Sequence, residues 1–378
     1  MWFDARILVG VAGVALLVLV LRDAFETMIL PRRLHGSLRF TRLYFRGIWP
    51  LWSGWAGRLR ARARRENALS LFGPLSMLLL FVLWAAVLMF GFGCLYWGLG
   101  SPLQTSEPLR GLAKDMYLSG VTLLTLGIGG AVPSTNLARV LVVIEGGLGL
   151  GFVAIIISYL PVLYSGFSRR EANIAMLDAR AGSPPTAAEI LRRHAADLGR
   201  LETYLGEWER WAAELLESHI SYPVLGYFRS QHANQSWLSA LGVMLDACAV
   251  LVAGTEDACM RQAQLTFAIA RHAIVDLAQL YIRRLPASIP NRLPPEDREQ
   301  LLRRLQAAGL DWTWDEAYVQ RLNALRQMYE PHLCAIAAHL RLDLPRWLGD
   351  PQALDNWQRS PWDRPPAMLS RPSGDRHF

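Results

Sequence analysis

From Asn67 to Ser106 the chain carries no charged side chain. A soluble fold has little use for so long an uncharged run. A helix crossing a hydrocarbon core about 30 Å thick needs about 20 apolar residues of this kind. Two more stretches share the property: Ile7 to Leu21 has no charge, and Val140 to Ser168 has one, Glu145. They predict membrane helices at 2–21 (with extension to 30), 71–98 and 137–167, with Pro74 in the first turn of the second. This pattern excludes a wholly soluble enzyme, a disordered regulator and a disulfide-rich secreted module. The first run lacks a small-residue cleavage site and leads into Arg22, Asp23 and Glu26, so it reads as a retained helix and not a signal peptide. Arg22 and Glu26 are one turn apart and can pair. Cys94, Cys248, Cys259 and Cys334 have no metal-like spacing and read as reduced structural thiols.

The formal charge is +7, and Lys114 is the one lysine among the basic residues. Segment 31–66 holds ten arginines against Glu66, whereas 99–138 balances Arg110 and Lys114 with Glu107 and Asp115. The positive-inside rule then puts 31–66 in the cytoplasm and 99–138 outside, with the third span returning to Arg169 and Arg170. The excess positive charge thus orients the chain in a membrane; it does not call for nucleic acid. Trp49, Trp52 and Trp55 recur every three residues beside Arg42, Arg46 and Arg58. They predict an amphipathic helix at the inner interface, either an anchor or a cuff that senses anionic lipid.

Between the second and third spans, residues 109–124 predict a helix of about four turns, too short to cross. It runs into Thr125-Leu126-Gly127-Ile128-Gly129-Gly130. Irregular backbone at membrane depth is tolerated when it is buried in protein or lines a water-filled path. Glycines at alternate positions take dihedrals other residues resist, so successive carbonyls and the Thr125 hydroxyl can replace an ion's hydration water. Leu126 and Ile128 are expected to pack behind such a loop.

On these residues the chain resembles the potassium-channel superfamily, over about Leu71 to Phe167. Val121-Thr122-Leu123-Leu124-Thr125 is similar to the family's pore-helix ending, and Thr125–Gly129 to its selectivity filter, commonly Thr-Val-Gly-Tyr-Gly-Asp. Ile128 stands where the family has tyrosine, and Gly130, at the outer mouth, where it has an acid. The resemblance implies a homotetramer, since one chain supplies one filter loop of four. It also implies K+ as the permeant ion, with no cofactor and no resident metal.

In the third span Gly149 is a candidate hinge and Pro161 a candidate gate, close helix packing being the alternative for the glycines. Glu145 is a candidate cation site or a brace for the pore helix. A single Arg22 in the first span does not make a voltage sensor. Beyond Arg170, helical periodicity predicts elements at 186–218, 235–253, 256–284, 295–308 and 314–340, the second a buried helix and not a fourth span. Arg229, His232, Arg261, Arg271 and His272 are candidates for a regulatory anion site, or else a satisfied polar core. No nucleophile–base arrangement points to an enzyme.

The expected fold is all-α: an integral membrane pore with a re-entrant pore helix and filter, plus a helical cytoplasmic domain. The expected division is 1–30 (N-terminal span), 31–69 (basic linker), 70–168 (pore), 169–347 (helical cytoplasmic domain) and 348–378 (extended tail). The expected function is a tetrameric potassium channel in the cell membrane, with its N-terminus outside. The alternatives are a non-selective cation channel and a non-conducting sensor or scaffold.

Overall fold

The computed structural model describes residues 2–30, 40–101, 103–105, 110–231, 235–254, 258–310, 312 and 314–350. His232 and the tail from 351 onward lie outside them, as do residues 31–39 of the basic segment. The chain divides into two units, one of residues 1–169 with 217–229, the other of 170–216 with 230–378.

The first unit holds α1 (Trp2–Met28), α2 (Phe40–Gly57), α3 (Arg62–Gly98), α4 (Leu112–Leu123) and α5 (Asn136–Ala181) as far as Arg169. α1, α3 and α5 are long and apolar enough to cross a membrane. The 37 residues of α3 span about 55 Å. Helix α3 starts nine residues before the apolar run, so Pro74 sits in its interior and not in its first turn. There it withholds the amide that would bond the Ser70 carbonyl.

α1 and α3 run antiparallel in close contact. Gly10 faces Gly98 and Gly13 faces Gly91; a Cβ on Gly13 would lie 2.6 Å from the Gly91 carbonyl oxygen. Small residues of this kind let helix backbones approach where lipid offers no hydrophobic drive between them. Lower on α1, the buried Asp23 carboxylate accepts from Trp84 Nε1 of α3 (3.0 Å) and from the Thr41 hydroxyl of α2 (2.6 Å), tying three helices to one charge. Arg22 and Glu26 do pair, at 2.8 Å.

α2 lays one face on α3, burying Tyr44, Trp49, Ser53 and Ala56. Trp52 donates to the Ala68 carbonyl (2.9 Å), and the Tyr44 hydroxyl to the Ser76 carbonyl (2.6 Å). Tyr44→Phe removes one buried hydrogen bond and is expected to cost about 1 kcal/mol, read as a lower thermal midpoint of the detergent-solubilised protein.

The segment 217–229 packs into the core of this unit. A 3-10 turn, Pro223–Tyr227, sets the Tyr227 ring 5.5 Å from Phe45, 5.1 Å from Trp49 and 5.2 Å from Phe72. Phe228 packs on Phe167 at 5.7 Å and Tyr222 on Tyr159 at 5.4 Å. Arg229 pairs with Glu66 at 3.2 Å. This strap belongs with the pore helices, whereas the division expected from sequence places it wholly in the cytoplasmic part.

In the second unit the expected 186–218 helix is two, α6 (Ala187–His194) and α7 (Leu198–Ser221), the latter belonging here as far as Leu216, followed by α8 (Trp237–Gly254), α9 (Ala258–Tyr281) and α10 (Pro295–Ala307). The last expected helix is also two, α11 (Glu316–Gln327) and α12 (Glu330–Leu340). α6 is capped by the Thr186 hydroxyl, which accepts from the Glu189 amide at 3.3 Å. α8 is long and apolar enough to cross a membrane, yet nearly every side chain on it is buried within its own unit, against α9, α11 and α6.

A polar network joins this core. Arg292 forks onto Asp246 (3.1 and 2.5 Å) and reaches Glu330 (3.2 Å), while Tyr329 donates to Asp246 at 2.6 Å. Arg326 also pairs with Glu330, at 3.1 Å, and both guanidinium groups lie over the buried Trp347 ring, at 5.9 and 5.7 Å. Burial by itself would lower the pKa of Arg292. The charge of Asp246, then Tyr329 and Glu330, outweighs it and raises the pKa above its ordinary value. All four cysteines are buried and none is in a disulfide.

Candidate functional site: the pore loop

α4 has 12 residues, about 18 Å of helix, which does not cross a membrane. Asp115 in its first turn complements the helix dipole and accepts from Ser101 Oγ at 2.5 Å. Lys114 donates to the Leu103 carbonyl at 3.0 Å. α4 ends at Leu123, and the chain leaves it through bonds from the Thr125 amide to the Thr122 carbonyl (3.0 Å) and from the Leu126 amide to the Val121 carbonyl (2.9 Å). The start of the glycine-rich loop is therefore fixed to the last turn of α4.

In that loop the sign of φ alternates. It is +55° at Thr125, +62° at Gly127 and +79° at Gly129, with Leu126 and Ile128 on the negative side between them. An extended strand points its carbonyls alternately to two sides; reversing φ at every second residue turns them toward a common side. Glycine bears this without strain, whereas the left-handed conformation of Thr125 costs roughly 1–2 kcal/mol. Gly130 continues with φ +89°.

Beyond it, β2 (Ala131–Pro133) pairs antiparallel with β1 (Leu103–Thr105), Leu103 opposite Pro133. This three-residue ladder, absent from the all-helical expectation, ties the far end of the loop to the chain leaving α3. Among the described residues nothing covers Leu126 and Ile128, which are 55% and 69% exposed and not packed behind the loop as expected.

Glu145, on α5, is fully buried. One oxygen accepts from the Tyr96 hydroxyl of α3 (2.8 Å) and the other from the Ser119 hydroxyl of α4. Both are engaged inside the protein, and the carboxylate joins three helices. One turn further, a Cβ on Gly149 would overlap the Leu123 carbonyl oxygen. Gly149 is thus the contact at which α5 passes the end of α4. α5 is helical through it and through the exposed Pro161.

Of the candidate residues for an anion site, His232 lies outside the described residues and the others fall in different units. Arg229 belongs to the first unit and pairs with Glu66. Arg261 and Arg271 lie ten residues apart on α9, about 15 Å of helix. His272 is exposed and faces Asp276 at 3.7 Å. Sequence reasoning missed Tyr96 and Ser119, whose signal was the lone carboxylate of the third span.

Residues 77–164 match the family model described as Ion channel. The uncharacterized membrane protein YdjJ of Bacillus subtilis (strain 168) is 23% identical over 309 residues, covering 80% of this chain and 86% of that protein. No solved structure matches this chain at a significant level. The residues that match the ion-channel family model thus run from within α3, through the short helix and the glycine-rich loop, into α5, and over this stretch the chain is similar to ion channels.

Proposed function

We propose that the chain is one subunit of a homotetrameric potassium channel. The observation that carries this reading is the alternation of φ from Thr125 to Gly129, the backbone geometry suited to a row of carbonyls replacing the water around a cation. Two further features support four copies around one axis. Among the described residues nothing covers the filter residues Leu126 and Ile128, and α5 leaves an apolar stripe of Val143, Leu150 and Ile157 exposed. Neighbouring copies in a cyclic assembly would cover both.

The arginines of 31–66 orient this segment and the C-terminal unit toward the cytoplasm. The outward face of α2, with Arg42, Leu43, Leu51, Trp55 and Arg58, suits an anionic lipid interface. The C-terminal unit would govern opening or assembly.

Purified full-length protein in planar bilayers, with potassium on one side and sodium on the other, is expected to reverse close to the potassium equilibrium potential. A second reading, a cation channel that does not discriminate, is favoured by the lack of any polar side chain from Leu126 to Gly130. It would give clear current reversing near zero.

A further inference from the structure

We infer that Glu145 is the residue that positions the selectivity filter, by holding the pore helix α4 to α3 and α5 through Ser119 and Tyr96. The inference rests on the potassium-channel reading above. No side chain from Leu126 to Gly130 can form a hydrogen bond, because the loop offers only leucine, glycine and isoleucine there. Two backbone bonds tie the start of the filter to the last turn of α4, so the filter takes its place from that helix.

α4 is fixed at its outer end by Asp115 with Ser101 and by Lys114 with the Leu103 carbonyl. Nearer the filter, six residues before Thr125, Ser119 donates to Glu145. The same carboxylate takes the Tyr96 hydroxyl. Three helices therefore meet at one fully buried carboxyl group. A carboxylate in a low-dielectric interior makes strong hydrogen bonds with well-placed donors, and removing it strands both hydroxyls without partners. α4 then loses its polar tie on the side facing α5, and the filter loses the reference that spaces its carbonyls.

The test uses full-length protein in detergent, heated in equal concentrations of KCl and NaCl. A filter that binds potassium better than sodium stabilises the folded assembly more in KCl, and this readout needs no open gate. The parent protein is expected to melt at a higher temperature in KCl. Glu145→Ala is expected to lose that difference. Glu145→Gln is expected to keep it, since a carboxamide can still bond two hydroxyls, each of which donates or accepts. Ser119→Ala, which removes one hydroxyl and little volume, is expected to reduce the difference, and it carries the test if Glu145→Ala does not fold.

A residue that merely stabilised the fold would lower both midpoints equally and leave the difference intact; that result in Glu145→Ala and Ser119→Ala would overturn the inference. A parent protein with equal midpoints in the two salts would instead overturn the potassium reading, and the positioning role with it.

Discussion

Asp246→Ala is expected to unfold the C-terminal unit under conditions in which the parent chain is folded. The Asp246 carboxylate is fully buried and receives the fork of Arg292 and the Tyr329 hydroxyl. Without it, the guanidinium of Arg292, 5% exposed, retains a single carboxylate, Glu330, which Arg326 already shares. Breaking a buried pair by removing one partner costs about 3–5 kcal/mol. That is a large share of the roughly 5–15 kcal/mol typical of a folded domain.

Denaturant unfolding of the full-length protein, with limited trypsin digestion alongside, reads the effect. A lower midpoint and new cleavage at arginines beyond 258 are expected, with α1 to α4 still protected. Asp246→Asn, which preserves shape and removes charge, should fall between the two. The double change Asp246→Leu with Arg292→Met should recover part of the loss, because no ion is then left unpaired at these two positions. An unchanged midpoint in Asp246→Ala would show that the network contributes little.

Gly149→Ala is expected to abolish ion flux while leaving the protein in the membrane. A methyl group at this position would occupy the space of the Leu123 carbonyl oxygen, and backbone cannot step aside as a flexible side chain does. Either α5 moves outward or the end of α4 moves with the glycine-rich loop attached to it. Both displace Thr125, two residues beyond Leu123, and on the proposed reading, in which the loop's carbonyls hold the ion, little displacement is tolerated. Flux into potassium-loaded vesicles, normalised to protein content, checks the outcome. Gly47→Ala is the control, since its added Cβ meets nothing within 4 Å. Normal flux in Gly149→Ala would mean that α4 and α5 separate freely and would return the position to a hinge.

What could be read from the sequence was what local pattern encodes. Charge-free runs marked the spans. The short helix before Thr125 was visible because its ending and the glycines are contiguous. The Arg22–Glu26 pair followed from one-turn spacing. The partners of Glu145 did not, because Ser119 and Tyr96 lie 26 and 49 residues away and carry no charge to betray them. Asp23 and Trp84 meet across 61 residues for the same reason. The β1–β2 ladder is three residues long on each side, below the length at which alternation can be recognised. Arg229 resembled a ligand residue by composition, but its charge is used by Glu66, 163 positions earlier. The sequence places Pro74 in the first turn of a span beginning at Leu71; the basic turn before it extends α3 and leaves the proline inside.

The strap of residues 217–229 bears on how the chain can be taken apart. Three crossings of the backbone, after Arg169, after Leu216 and after Arg229, separate the two units. A chain cut short at Arg169 would therefore not be a minimal pore. It would lack Tyr227 and Phe228, and the apolar wall formed by Phe45, Trp49, Phe72 and Phe167 would be left open. Grafting the first unit onto another protein requires carrying residues 217–229 as a discontinuous piece of the transplant.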